Sequence, residues 1–148
     1  MNRQAIYEQL KIDEGVEYEI YLDHLGYPTF GVGHLVLNTD PESGQEAGTP
    51  VSENRVQECF QKDLDIAISE CQELYEPGTF DGLPGEIQEI LVNMMFNMGR
   101  TRLGKFKNFR KALEAKDWKQ AGVEGRDSRW HKQVTNRAER LMVRLEQV

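Results

Sequence analysis

The segment Ile87 to Met98, IQEILVNMMFNM, is apolar on nearly every face of a helix, and no other part of the chain constrains the fold so strongly. A helix with a single apolar stripe can lie on a surface, whereas one that is apolar all round must be wrapped by other elements. The segment therefore predicts a buried helix, stopped at its C-terminal end by Gly99. Its longest aliphatic run, Ile90-Leu91-Val92, is far short of the ~18 apolar residues a membrane span needs, so its cover must be protein.

A long amphipathic helix is the first candidate for that cover. Val56, Phe60, Leu64, Ala67/Ile68, Cys71 and Leu74/Tyr75 recur at helical spacing and predict one helix over 52–75, capped by Ser52 and ended by Pro77-Gly78. Upstream, Ile6 and Leu10 suit a short helix over 3–12 that must stop near Gly15. Tyr18, Ile20 and Leu22 alternate with Glu17, Glu19 and Tyr21 as a strand does. Asp23 to Gly26 reads as a turn, Tyr27 to Val32 as a second strand, and a third is expected around Leu35–Leu37. Residues 38–50 read as a surface loop.

Beyond Gly99, short helices are expected over 106–114, 118–123, 128–131 and 136–146, the last opened by a capping box at Asn136-x-x-Glu139. The expected fold class is α+β and mostly helical. A small N-terminal lobe carries a β-hairpin or three-stranded sheet, helix 52–75 links it to an all-helical C-terminal lobe, and a cleft lies between the lobes. At 148 residues this is one domain, 1–148, with lobes over about 13–64 and 75–148 plus the N-terminal helix.

Charge is unevenly spread. Residues 1–96 carry 4 basic and 19 acidic side chains, a balance of −15; residues 97–148 carry 14 and 6, a balance of +8. Two solvated faces of opposite sign account for this, and so does a basic lobe that meets a polyanion, either nucleic acid or bacterial cell wall. In Lys105-Phe106-Lys107-Asn108-Phe109-Arg110-Lys111 aromatic and basic residues interleave as in single-strand binders, but helical spacing puts Phe106, Phe109 and Leu113 on one face, which favours packing.

Several chemistries are excluded. The chain has no G-x-S-x-G, no phosphate loop and no dinucleotide fingerprint. His24, His34 and His131 are scattered without metal-ligand spacing, so no metal is expected. Cys59 and Cys71 would stand ~18 Å apart on one helix, too far to bridge, and read as buried thiols of a reducing compartment. The N-terminus has no apolar stretch behind its charge, so no cleaved signal is expected.

Carboxylates around the hairpin remain. Glu14 ends the first helix and Asp23 ends the first strand, followed by Gly26 and Thr29. Two carboxylates on rigid elements are what glycoside cleavage requires: one gives a proton to the leaving oxygen while the other directs water. In a chain with 25 acidic residues such a pair is, taken alone, also ordinary surface charge.

The order of residues goes further. Ile12-Asp13-Glu14-Gly15, Ile20-Tyr21-Leu22-Asp23 and Gly26-Tyr27-Pro28-Thr29-Phe30-Gly31-Val32-Gly33-His34-Leu35 resemble the phage-type muramidases, glycoside hydrolase family 24. The resemblance continues through Gln61 to Asp65, Asn93 to Gly99, Ser128-Arg129-Trp130 and Asn136-Arg137-Ala138, so it spans nearly the whole chain in order. It implies Glu14 as general acid, Asp23 as the group that orients the attacking water, and Thr29 as the hydroxyl that holds that water. Leu35 and Phe96 match positions lining the saccharide cleft, and His34 and Asp63 match a buried ion pair. Arg137 matches a guanidinium that contacts the acid; since a nearby cation lowers a carboxyl pKa, burial of Glu14 is expected to keep its proton. Where the family pattern has an acid, a small hydroxyl and an amide, this chain has Leu25, Phe109 and Glu124, and no glycan contact is carried to them.

The implied activity is inverting hydrolysis of the β-1,4 bond between N-acetylmuramic acid and N-acetylglucosamine. No metal or organic cofactor is implied, and the partner is a peptidoglycan glycan strand, with no nucleic acid and no membrane insertion. The expected protein is a monomeric endolysin, made in the host cytoplasm and released to the wall through a separate pore-former; a virion-borne or prophage lysozyme is the alternative setting. A non-catalytic peptidoglycan-binding module on the same scaffold and a lytic transglycosylase are the rival functions.

Overall fold

The computed structural model describes residues 1–148 and contains seven helices and one three-stranded antiparallel sheet, the α+β, mostly helical class expected. The chain divides into two compact units, Arg3–Ile66 and Met1–Asn2 with Ala67–Val148. The division falls inside the long helix, so that helix lends its first part to one unit and its last turns to the other.

In the N-terminal unit, α1 (Arg3–Glu14) buries Ile6, Tyr7 and Leu10 on one face. Tyr7 meets Phe60 of α2 (Glu53–Leu74) at 4.7 Å between ring centroids, and Lys11 lies 4.6 Å over the same tyrosine ring. Gly15, at φ 80°, turns the chain into β1 (Glu17–Leu22), a conformation that costs a glycine little. β1 pairs with β2 (Pro28–Gly31) and β2 with β3 (His34–Leu35), in the order β1-β2-β3. The pairing of β1 shifts between Glu17 and Tyr21. That bulge interrupts the period-2 pattern, and of the alternating residues only Ile20 is buried while Tyr18 and Leu22 are exposed. The third strand sits one residue earlier than its sequence pattern suggests and is shorter, because Leu37 and Asp40 already form a turn.

Residues 38–50 run over the surface as expected but are anchored at both ends. Ile20 and Gly48–Thr49 exchange backbone bonds of 2.9 and 2.7 Å, and Val51 donates to Tyr18 at 2.9 Å, so the end of this segment lies along the free edge of β1. Ser52 caps α2, its Oγ accepting from the Arg55 N–H at 3.1 Å.

In the C-terminal unit, α3 (Gly85–Leu103) buries every residue from Ile90 to Met95, as its all-round apolar sequence requires. Gly99 interrupts it at φ 77°, but the helix resumes for one more turn to Leu103, so Gly99 is a kink where a stop was expected. α4 (Lys107–Glu114), α5 (Trp118–Arg126), α6 (Arg129–Gln133) and α7 (Thr135–Glu146) follow. α4 turns Phe109, Ala112 and Leu113 inward, with Phe106 packed edge-on to Phe109 at 6.0 Å. The expected capping box is not formed: α7 opens without a side-chain cap, and Glu139 faces Arg126 and His131 instead. Two charge-assisted partners outweigh one backbone amide for that carboxylate. No helix is long and apolar enough to cross a membrane.

Candidate functional site

The hairpin between β1 and β2 is organised by Asp23. Its Oδ1 accepts from the backbone N–H of Leu25 at 2.9 Å and of Tyr27 at 2.8 Å, an Asx-type turn, and backbone bonds between Asp23 and Tyr27 and between Gly26 and Asp23, both 2.9 Å, close it. Both side-chain bonds fall on Oδ1, so Oδ2 keeps its full capacity to accept. The carboxylate is half-buried, held by the turn in one orientation.

Thr29 lies on β2 opposite Tyr21 and is buried. Its Oγ1 is 3.0 Å from the Tyr27 carbonyl, which can only accept, so the hydroxyl proton is committed there. What Thr29 then offers is a pair of acceptor lone pairs. Asp23 Oδ2 and Thr29 Oγ1 are thus two acceptors on one hairpin, an arrangement suited to a donor of two protons such as water.

Glu14 is the last residue of α1, immediately before the Gly15 turn. It is exposed, so the expected burial does not supply its protonated form. The inward face of α1 is used up by Ile6, Tyr7 and Leu10, and Glu14 falls outside that stripe.

His34, on β3, is buried and bonds through both ring nitrogens: Nδ1 lies 2.7 Å from Asp63 and Nε2 2.8 Å from Asp40. The Asp63 bond, supported by that to Asp40, raises the histidine pKa above 6.5 despite desolvation. For Asp40, burial acts upward, but the Leu37 N–H, His34 and Arg55 outweigh it and hold the carboxyl below its ordinary value. Arg55 reaches Asp40 at 3.3 Å and grips buried Glu42 through two bonds of 2.9 Å, which lowers the Glu42 carboxyl. The sequence reading placed His34 with Asp63 but missed Asp40, Glu42 and Arg55. One signal was available: Arg55 and Lys62 are the only cations between residues 12 and 96, and Arg55 follows an acidic loop.

This cluster also brings ligand atoms of His34, Asp40 and Cys59 within 4.8 Å of one another. Their chemistry suits a proton network better than a cation. Both imidazole nitrogens are already bonded, the Arg55 guanidinium holds Asp40, and burial pushes the Cys59 thiol up to about 11, far from the thiolate a metal needs.

Of the remaining sequence-predicted residues, Leu35 is exposed at the end of β3. Phe96 and Arg137 belong to the C-terminal unit. Phe96 is half-buried on α3, in a helix otherwise covered on most sides. Arg137, on α7, donates from Nε to Asn93 Oδ1 at 2.9 Å and from a terminal nitrogen to the Asn93 carbonyl at 3.2 Å, satisfying a buried amide in α3 that sequence reasoning did not single out. Trp130 is buried and donates to Asn97 at 2.7 Å.

Comparison with known proteins agrees with this arrangement. The family described as phage lysozyme matches residues 11–147. Two proteins of Dictyostelium discoideum, probable T4-type lysozymes 1 and 2, are each 28% identical to the chain, over 93% of it and 91% of their own lengths. The pre-baseplate central spike protein Gp5 of Enterobacteria phage T4 is 30% identical over 90% of the chain, a match covering 26% of that longer protein.

Proposed function

For this chain, which belongs to the phage lysozyme family and is a glycosidase of the lysozyme type, we propose hydrolysis of the β-1,4 bond between N-acetylmuramic acid and N-acetylglucosamine in peptidoglycan, with inversion. The observation that carries this reading is the pair of acceptors on the hairpin. A water seated between Asp23 Oδ2 and Thr29 Oγ1 donates one proton to each, which leaves an oxygen lone pair directed outward as nucleophile. As that oxygen bonds to the anomeric carbon, Asp23 takes its proton, the glycosidic bond breaks, and Glu14 protonates the departing oxygen. Proton exchange with solvent then restores both carboxyls.

Glu14 is exposed in the free chain, so its proton must be favoured at the moment of use. A saccharide covering the carboxyl removes water from it, and desolvation raises a carboxyl pKa. Leu35 and Phe96 are assigned to the saccharide-lining surface, and His34 with Asp63 to holding β3 on α2. Arg137 is assigned to support of the acid. We assign residues 1–148 to one acting domain, a monomer, with the strand bound between its lobes. The biological setting is host lysis by an endolysin that a separate pore-former admits to the wall.

Digestion of purified sacculi in ¹⁸O-labelled water, followed by mass spectrometry, tests the chemistry. Hydrolysis gives reducing ends carrying one heavy oxygen, and NMR of fresh product gives the α anomer if configuration inverts. Anhydro ends without label would identify a lytic transglycosylase, and intact glycan with protein bound would identify a non-catalytic module.

A further inference from the structure

A cavity of about 290 Å³ in the C-terminal unit is lined by Arg102, Lys105, Phe106, Arg129, Trp130 and Gln133. Three of the six are cations and none is an acid. In a chain of net charge −7 this is unusual, because its arginines mostly find carboxylates: Arg3, Arg55, Arg100, Arg110, Arg126 and Arg144 are all so paired. Arg102 bonds only the neutral Gln133 amide oxygen, at 2.5 Å, and neither Lys105 nor Arg129 has a carboxylate partner. Three unpaired cations around one concavity repel one another, and an anion placed among them removes that repulsion.

The other side of the cavity is rigid and aromatic. Phe106 meets Trp130 at 6.2 Å in an edge-on arrangement, and the Trp130 indole is fixed by its bond to Asn97. The Arg102 bond orients Gln133 so that its oxygen is occupied and its NH₂ remains a donor. Guanidinium, ammonium and amide donors thus converge above an apolar floor. The volume equals that of roughly ten waters at ~30 Å³ each, more than a lone oxyanion fills, so the unit carrying the charge fits as well.

We infer that this cavity is a binding site for an oxyanion carried on an organic unit, held by Arg102, Lys105 and Arg129 with its apolar part against Phe106 and Trp130. Given the peptidoglycan reading above, on which this identification of the source rests, the oxyanion is an anionic group of the wall: a stem-peptide carboxylate or a teichoic phosphodiester. Arg suits both through its planar fork. The site would anchor the polymer beside the glycan strand and compensate for the acidic N-terminal half.

The test uses the full ¹⁵N-labelled chain and two fragments with no glycosidic bond to cleave, N-acetyl-L-alanyl-D-glutamate and glycerol 3-phosphate, at constant ionic strength set by chloride. The expected result is a saturable shift of the Trp130 indole resonance, with that of Trp118 unmoved, for at least one fragment; which fragment responds identifies the source. Lys105→Gln and Arg129→Gln should each weaken binding roughly five-fold or more, while Lys105→Arg stays close to wild type. Absence of a saturable Trp130 shift with either fragment overturns the site, as does equal affinity in the charge-removing variants. Thermal melting of each variant separates loss of the site from loss of the fold. Because the readout is binding without turnover, failure here leaves the hydrolase reading standing, and failure of hydrolysis leaves this site standing.

Discussion

The Nε2 of His34 lies 2.8 Å from Asp40 while its Nδ1 lies 2.7 Å from Asp63, so the ring stands between two carboxylates. A neutral imidazole can donate to only one of them; an imidazolium donates to both. Arg55 holds Asp40 from another direction, and the network ties β3, residues 38–50 and α2 together.

Stability should therefore depend on pH at both ends. The His34 pKa is raised above 6.5, so its stabilisation is complete below that value and is lost as pH rises through the folded pKa. Asp40 and Glu42 are lowered from 3.8 and 4.5, so theirs is complete above those values and is lost as pH falls through the folded ones. Melting temperature should be highest between about pH 5 and 6.5 and decline above it. His34→Asn should remove the alkaline decline. A melting temperature that climbs steadily from neutral to alkaline pH would contradict the protonated network.

Asp23 combines a structural and a chemical task, and two variants separate them. Asp23→Asn keeps an oxygen to accept from Leu25 and Tyr27, so the turn should survive while the base is lost. Asp23→Ala removes both bonds and should cost a further ~1–3 kcal/mol of stability. Both should lose wall-clearing activity by orders of magnitude. Substantial activity in Asp23→Asn would take the base role away from this residue.

Packing of α5 on α7 depends on Gly125. A Cβ there would run into the sulfur of Met142, so Gly125→Ala should destabilise by about 1–3 kcal/mol through overpacking. Urea denaturation measures this. Met142→Ala in the same background should recover part of the loss, because it opens the space the new methyl requires.

The elements that were legible are those whose signal is local. Ser52 caps α2 where a serine precedes a helical period, and Ile87 to Met98 is buried because its sequence leaves no polar face. Asn136-x-x-Glu139 misled because a capping box is a local possibility, whereas Glu139 had stronger partners across the unit in Arg126 and His131. Asp40 and Glu42 were read as loop charge because their partners, His34 and Arg55, are distant in sequence and nothing in the loop announces them. At the hairpin, Asp23 and Thr29 were found by resemblance, while the turn that orients the carboxylate and the carbonyl that takes the threonine proton required coordinates. The exposure of Glu14 was not foreseen, since its helix period was not followed to its end.

The basic half offers a salt-dependent prediction. Lys107 and Lys111 are exposed on α4, opposite the face that buries Phe109 and Leu113. If such charges hold an anionic wall, Lys107→Gln with Lys111→Gln should weaken co-sedimentation with sacculi at low salt. The difference should shrink once the Debye length falls to ~8 Å near physiological strength. A loss equal at both salt concentrations would indicate a packing defect in α4 instead.

Glu14→Gln tests the acid directly. The amide is nearly isosteric with the carboxyl but has no acidic proton to give, so wall clearing should fall by a factor of about 10²–10⁴, the usual contribution of general acid catalysis. Because Glu14 is exposed, the substitution should change folding stability by no more than ~0.5 kcal/mol. Its pH profile is informative as well. If the saccharide raises the Glu14 carboxyl by covering it, the alkaline limb of kcat should lie at higher pH than that of kcat/KM, since the first reports the complex and the second the free enzyme. Coincident limbs would mean that binding does not alter the carboxyl, and activity above a tenth of wild type in Glu14→Gln would assign the proton to another group.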